Sequence, residues 1–144
     1  MKEMNALDDA IRRHIALLCE FAVRSGYELE DFLQKWFSSD LMQKFVDYNY
    51  GSLSTGHYYQ IHLLEEEYPD IRKKDYDAEG SRIYYENIAF WAGYLLTQWI
   101  LTEEITGTEI YAAYDLSCLI DNYDVWHMMD VRCVIRDIKD SWKK

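Results

Sequence analysis

The 144-residue chain contains a single proline, six glycines and three cysteines. So few helix-breaking residues argue against a disordered or loop-rich protein, because apolar residues make up 49% of the chain and can fill a core. The cysteine count is odd and no CxxC spacing occurs, which argues against a disulfide framework. We expect one helical domain over residues 1–144, in which Cys19, Cys118 and Cys133 are reduced, buried thiols.

Long apolar runs are also absent. The most apolar window, residues 88–101, is shorter than the roughly 20 residues that span a bilayer. Glu3, Asp8 and Asp9 occupy the region where a signal peptide would carry basic residues followed by an apolar run. These features predict a cytoplasmic protein without a membrane partner.

The short motifs that mark common enzyme sites are missing too. The sequence has no glycine-rich phosphate loop, Walker sequence, HExxH or nucleophile elbow. The four histidines, His14, His57, His62 and His127, include no pair four residues apart that would place two imidazoles on one helix face for a metal. We expect His57 and His127 to hydrogen-bond backbone groups near helix starts. The sequence therefore predicts no catalytic residues, no cofactor and no metal site.

Apolar residues spaced three and four apart predict helices along the whole chain, and strand-like alternation is absent. A first helix carries an apolar stripe from Leu7 to Ala22, and Gly26 is suited to end it in a left-handed cap. Pro69 is expected to stop a later helix. Shorter helical segments are predicted at residues 29–37, 41–50 and 116–122. The candidate helix caps are Ser38, Ser39 or Asp40, then Ser54 or Thr55, Thr106 with Glu109, and Asp130.

One helix, residues 84–101, is apolar nearly all round and is therefore expected to be central. Residues 51–56 are predicted to form a loop, and residues 70–81, which mix both charge signs, a connection between two halves. The fold predicted from these patterns is all-α, a compact bundle of six to eight helices.

The two halves, residues 5–69 and 82–142, align in the same order of helix lengths. His57 with Ile61 in the first half corresponds to His127 with Val131 in the second half. A coincidence of amphipathic patterns explains this order, and an internal duplication is the alternative.

Negative charge dominates the chain, whose formal net charge is -11. Residues 103–130 contain seven acids and no Lys or Arg, and tyrosines and a tryptophan lie among the acids. Such charge repels nucleic acid and anionic lipid, so direct nucleic-acid binding is not expected. Solubility alone is one explanation of the charge. The other is a surface that meets a cationic partner, because carboxylates steer association and aromatic rings supply contact area.

The run Tyr123-Asp124-Val125-Trp126-His127, followed by residues 131–138, resembles the end of a small all-helical bacterial family of uncharacterised function. Members of that family are often encoded beside ADP-ribosyltransferase-like toxins and are suspected to be their antitoxins. The resemblance covers residues 105–138. It implies a partner-binding helical module without chemistry of its own.

The leading hypothesis is a protein-binding inhibitor, antitoxin or immunity-like, that contacts a toxin or nuclease with a basic surface. The predicted contact residues are Glu109, Tyr111, Asp115, Asp121, Tyr123, Asp124 and Trp126. Some of these aromatic residues are expected to belong to the core. The second hypothesis is a phage-type DNA mimic that inhibits a nuclease, as anti-CRISPR and anti-restriction proteins do, and the third is a small enzyme. The sequence does not indicate an oligomeric state.

Overall fold

The structure, a computed structural model, describes residues 2–48 and 56–144. These residues form nine helices and no β-strand apart from two isolated bridges, which confirms the all-α prediction. Seven helices have seven residues or more, within the predicted number, and the other two are single turns of four residues. In chain order the helices are α1 (Ala6–Arg24), α2 (Leu29–Ser38), α3 (Asp40–Tyr48), α4 (His57–Glu67), α5 (Arg82–Glu103), α6 (Gly107–Ala113), α7 (Cys118–Asp121), α8 (Tyr123–Trp126) and α9 (Val131–Ser141).

Helices α1 and α5 pack along each other at the centre of the fold, as predicted for the apolar helix. Gly93 of α5 permits their close approach, because a Cβ there would lie 2.9 Å from the Cys19 Sγ and 3.3 Å from the Ala16 Cα of α1. Buried side chains from all nine helices form one hydrophobic core around this pair. No helix within the described ranges is long and apolar enough to cross a bilayer.

Local capping signals set most of the helix ends. Thr106 and Glu109 form the predicted capping box at the start of α6, in which each side chain accepts the other residue's backbone N–H. The Ser39 hydroxyl and the Asp130 carboxylate accept backbone N–H groups in the first turns of α3 and α9. Gly26, at φ +94°, follows α1 in the predicted left-handed conformation.

Helix α4 begins at His57, with Gly56 at the N-cap position and no side-chain cap, and ends two residues before Pro69. Residues 49–55 lie outside the described part of the chain. They include Ser54, Thr55 and most of the predicted loop, together with the last two residues of the helix predicted at 41–50.

The predicted connection, residues 70–81, is held against the start of α2. The Tyr76 side chain is buried, and its hydroxyl accepts the Leu29 N–H at 3.1 Å. The Glu28 N–H donates to the Arg72 carbonyl at 3.0 Å. This anchoring lets a segment without helix join α4 to α5 while adding an aromatic side chain to the core.

The proposed duplication of residues 5–69 and 82–142 stays a prediction. Each half begins with its longest helix, α1 or α5, and ends with an eleven-residue helix, α4 or α9.

Two of the three cysteines are buried as expected. Burial of Cys118 raises the pKa of its thiol to about 12. Cys133 is only half-buried, and its sulfur accepts a hydrogen bond from Arg136 Nη2 at 3.4 Å. The expectation of three buried thiols is therefore wrong for Cys133, because this residue lies beside the exposed Arg132 and Arg136, away from the buried Val134, Ile135 and Ile138 of α9.

Candidate interaction surface

Most of the acids in residues 103–130 form no ion pair with a cation in the described part of the chain. Glu103 pairs with Lys139, and Asp130 pairs with Arg132. The remaining five form no ion pair within residues 2–48 and 56–144, although ion pairs are common elsewhere in the protein. These five are exposed: Glu104, Glu109, Asp115, Asp121 and Asp124. Their charge is left uncompensated at the surface, where it acts on an approaching partner.

Exposed apolar side chains gather at the start of α5 and around α8. Among the described residues eight large apolar side chains are exposed, and five of them lie here: Ile83, Tyr84, Val125, Met128 and Met129. Isolated exposed apolar residues are normal on a soluble protein, but a cluster of them is typical of a binding site.

Ring contacts and one hydrogen bond join the two parts of this cluster. The Tyr84 hydroxyl donates to Asp124 Oδ1 at 2.8 Å, which raises the tyrosine pKa, and the Tyr84 ring lies 5.8 Å from the Tyr123 ring. Tyr123 also stacks on His127 at 4.5 Å. We call this region the aromatic-methionine patch. It comprises Ile83, Tyr84, Tyr123, Asp124, Val125, His127, Met128 and Met129.

Aromatic side chains packed against the hydrophobic core contact the aromatic-methionine patch and hold it in place. Trp91 of α5 contacts the Tyr123 ring edge-to-face at 5.5 Å, and Tyr85 stacks on the buried Tyr76 at 4.3 Å. The His127 Nδ1 lies 2.7 Å from the Tyr123 carbonyl oxygen, which confirms the predicted backbone hydrogen bond of this histidine. A surface with such support loses little conformational entropy on binding.

A second feature is a groove of about 130 Å³ between α2, α6 and the start of α7. Its lining includes Glu30 and Leu33 from α2, and Tyr111, Tyr114 and Asp115 from α6 and the turn after it. Ile120 of α7 and Lys144 near the end of the chain also line it. We call this feature the acidic groove.

Negative charge concentrates at the acidic groove. Burial raises the pKa of Glu30, and the nearby carboxylates of Glu28, Asp121 and Asp115 raise it further. Hydrogen bonds from the Ser117 side chain and backbone hold the pKa of Asp115 below its usual value. The Asp115 carboxylate of the groove is therefore charged at neutral pH.

The predicted contact residues divide between these two features. Tyr111 and Asp115 line the acidic groove, whereas Tyr123 and Asp124 belong to the aromatic-methionine patch. Asp121 is exposed on α7 and adds negative potential at Glu30, so it is close to the groove.

Two predicted contact residues have other roles. Glu109 is exposed, but its carboxylate accepts hydrogen bonds from the Thr106 backbone and hydroxyl in the capping box. Trp126 is only 8% exposed, and its ring meets the Trp142 ring edge-on at 6.5 Å. The prediction for Trp126 is therefore corrected: burial in the core leaves little of the indole available to a partner.

The sequence reasoning missed other residues of the two features. Tyr84 is the first residue of the helix predicted at residues 84–101, yet the buried part of α5 begins at Glu86 and Tyr84 is 43% exposed. Met128 carries no local signal of its exposure either, since an apolar residue before a helix cap can also pack against the helix. Glu30 had no local signal, because only the packing of α2 against α6 brings it to the groove.

No family model, curated protein or solved structure matches this chain significantly. The surface must therefore be interpreted from its own geometry. The resemblance to toxin-associated helical proteins stays a prediction.

Metal chemistry has no support in the described ranges, where no group of three His, Cys, Asp or Glu side chains is placed to hold an ion. His62 lies one turn from Glu66, and its Nε2 is 3.2 Å from that carboxylate on an exposed face of α4.

The other two histidines face each other between α1 and α4. The rings of His14 and His57 are 4.7 Å apart, and His14 Nε2 lies 3.0 Å from Gln60 Oε1. Burial lowers the pKa of both imidazoles, and the charge of a protonated His14 lowers that of His57 further. A hydrogen bond to the His14 backbone partly opposes the shift of His57.

This histidine pair predicts a loss of stability in mild acid. A lowered pKa in the folded state means that, below pH 6.5, the unfolded chain takes up protons that the folded protein resists. The free energy of unfolding is therefore expected to fall as pH drops from about 6.5, by at most about 1.4 kcal/mol per pH unit for each histidine. Urea unfolding at several pH values measures this slope.

Replacing both histidines by glutamine separates their contribution to the pH dependence of unfolding from the contribution of other titratable groups. The double variant His14→Gln/His57→Gln should flatten the profile between pH 6.5 and 5. Parallel profiles for the double variant and the unsubstituted protein would contradict the assignment.

Proposed function

We propose that this chain is a protein-binding inhibitor of the antitoxin or immunity type, which acts by covering a basic surface of its partner. The observation that carries the proposal is the aromatic-methionine patch, where five of the eight exposed large apolar side chains gather. The patch also contains the Asp124 carboxylate, which forms no ion pair among the described residues, and this charge distinguishes the patch from a purely apolar association surface. In this proposal the protein inhibits its partner by binding to it and covering its basic surface, without a cofactor and without catalysis.

The chemistry of the patch suits protein recognition. Tyrosine rings bury a large area at a small cost in side-chain entropy, and methionine adapts its shape to the opposing surface. The exposed carboxylates of residues 103–130 attract a basic partner over a distance of about 8 to 10 Å in physiological salt. Apolar burial then supplies affinity, while charge supplies orientation and association rate.

A pull-down from the native host tests the proposal. The double variant Tyr84→Ala/Met128→Ser is expected to lower the affinity for the captured protein at least about tenfold, since tyrosine anchors at interface centres are often worth 1 to 2 kcal/mol. The matched control is Leu17→Ser/Tyr58→Ala, which removes two exposed apolar side chains outside the patch. Equal capture by both variants would refute a role for the patch.

The salt dependence of the same capture separates the proposal from DNA mimicry. A partner held by the patch should be retained when the salt concentration rises from about 50 to 500 mM, because apolar burial is insensitive to screening. A nuclease held by carboxylates in place of phosphates should be released across this range.

A further inference from the structure

The acidic groove already holds an ammonium group. Lys144 Nζ donates a hydrogen bond to the Tyr111 carbonyl oxygen at 2.7 Å. The backbone N–H of Lys144 donates to the Ala113 carbonyl at 2.9 Å, and the Asp115 N–H donates to the Trp142 carbonyl at 2.9 Å. These bonds lay residues 142–144 along the end of α6, so that the lysine side chain reaches the groove.

The charge of Lys144 does not balance the groove. Lys144 is the one cation among the described residues that line it, and it contributes only weakly to the charge state of Asp115. Glu30 keeps a raised pKa although the cation of Arg72 opposes this shift. The carboxylates therefore favour a positive charge at this position, whether it is carried by Lys144 or by another lysine.

The walls of the groove match the rest of a lysine side chain. Leu33, Tyr111 and Tyr114 provide apolar and aromatic surface beside the carboxylates. A lysine buries its methylene stem against such surface while its ammonium group remains among oxygen acceptors. The hydrogen bond made by Lys144 lies on an exposed surface, where ion pairs and hydrogen bonds of lysine are weak and a competing cation displaces them readily.

We propose that the acidic groove receives a lysine side chain of the partner protein, which takes the position that Lys144 occupies in the free protein. The inference rests on the proposed function for the existence of a basic partner. It adds a defined pocket, a defined side-chain chemistry and an internal competitor that weakens binding until the partner displaces it.

Titration with a small lysine probe tests the groove directly. The probe is the peptide acetyl-Gly-Gly-Lys-Gly-Gly-amide, and its Nε-acetylated form is the uncharged control. Nuclear magnetic resonance should detect shifts of the backbone amides of Glu30, Tyr111 and Asp115 with the charged peptide alone. Shifts spread evenly over acids in other parts of the protein would overturn the inference.

Substitutions predict opposite changes in affinity for the probe. Lys144→Met removes the competitor and is expected to tighten binding about two- to fivefold, whereas Glu30→Gln or Asp115→Asn should weaken it by a similar factor. Asparagine at 115 retains the oxygen that accepts from Ser117, so the turn is preserved. The matched control is Glu3→Gln, at an exposed acid outside the groove. Unchanged affinity in Lys144→Met would contradict the displacement.

The two proposals fail in different ways. If Glu30→Gln/Asp115→Asn captures the host partner as well as the unsubstituted protein does, the groove inference is overturned while the patch proposal stands. If the lysine peptide binds the groove but the patch variant Tyr84→Ala/Met128→Ser still captures the partner, the patch proposal fails instead.

Discussion

Replacement of Gly107 by alanine is expected to lower the free energy of unfolding by about 3 kcal/mol or more. A Cβ at this position would lie 1.9 Å from the carbonyl oxygen of Phe37 and 2.6 Å from its carbonyl carbon. These atoms belong to the backbone of α2, so no side chain can rotate away and α6 must move as a unit. Overpacking of this kind costs about 1 to 3 kcal/mol where side chains yield, and more where they cannot.

Gly56→Ala is the matched control for this prediction. A Cβ at Gly56 meets no atom of residues 2–48 or 56–144 within 4 Å, and the backbone has an ordinary φ of -69°. We expect a change of no more than about 1 kcal/mol, because a small capping loss is offset by the lower entropy of the unfolded chain. Chemical unfolding followed by circular dichroism measures both variants. Equal stability of the two variants would show that contact between α2 and α6 does not depend on glycine.

The Gly107 variant also connects stability to the surface. Helix α6 carries Tyr111 and leads into Asp115, which face α2 across the acidic groove. A displacement of α6 would widen the groove and separate Asp115 from Glu30. A destabilised but folded Gly107→Ala protein should therefore bind the lysine probe more weakly, whereas Gly56→Ala should bind it normally.

Trp99→Ala is expected to cost about 3 to 5 kcal/mol, the usual range for emptying a large aromatic site in a core. Trp99 lies on α5 with no exposed surface, and its ring is 5.3 Å from that of Tyr114. The cavity would thus form at the centre of the bundle and beneath one wall of the acidic groove. Thermal unfolding gives the loss of stability, and it should exceed that of any substitution proposed for the surface.

Trp99→Phe separates the volume of the indole from its polar group. The Trp99 Nε1 has no hydrogen-bond acceptor among the described residues, so phenylalanine removes a buried donor together with part of the ring. The two effects oppose each other, and we expect a cost of less than about 1.5 kcal/mol. A Phe variant as unstable as the Ala variant would argue that the shape of the whole indole matters.

The helices could be predicted because their signals are local. A capping box joins residues three apart, so Thr106 and Glu109 mark the start of α6 without knowledge of the fold. Gly26 and Pro69 act on the backbone within one or two residues of a helix end, and the central position of α5 follows from its apolar circumference. The single turn α7 lies inside the segment predicted at residues 116–122 and α8 was not predicted, because one turn is too short to show a period.

That the predicted contact residues bind a partner stays a prediction, but the structure places them in different surroundings. Tyr123 and Asp124 contact Tyr84 at the start of α5, about 40 residues earlier in the chain, whereas Val125, Met128 and Met129 are their neighbours in sequence. Trp126 satisfied the same pattern of acids and rings, and yet the turn of α8 directs its indole inward against Trp142. Amphipathic spacing predicts that one face of a helix is buried, but a four-residue helix gives no basis for choosing that face.

The sequence by itself determined the helical class, the central apolar helix, most helix ends and an excess of negative charge without nearby cations, since each depends on composition or on neighbours within a few residues. Tertiary structure alone decided that Glu30 and Lys144 meet at one groove and that Tyr84 lies against Asp124. The physical reason is that such encounters depend on how helices pack across the core, and packing is set by shape complementarity among residues far apart in the chain.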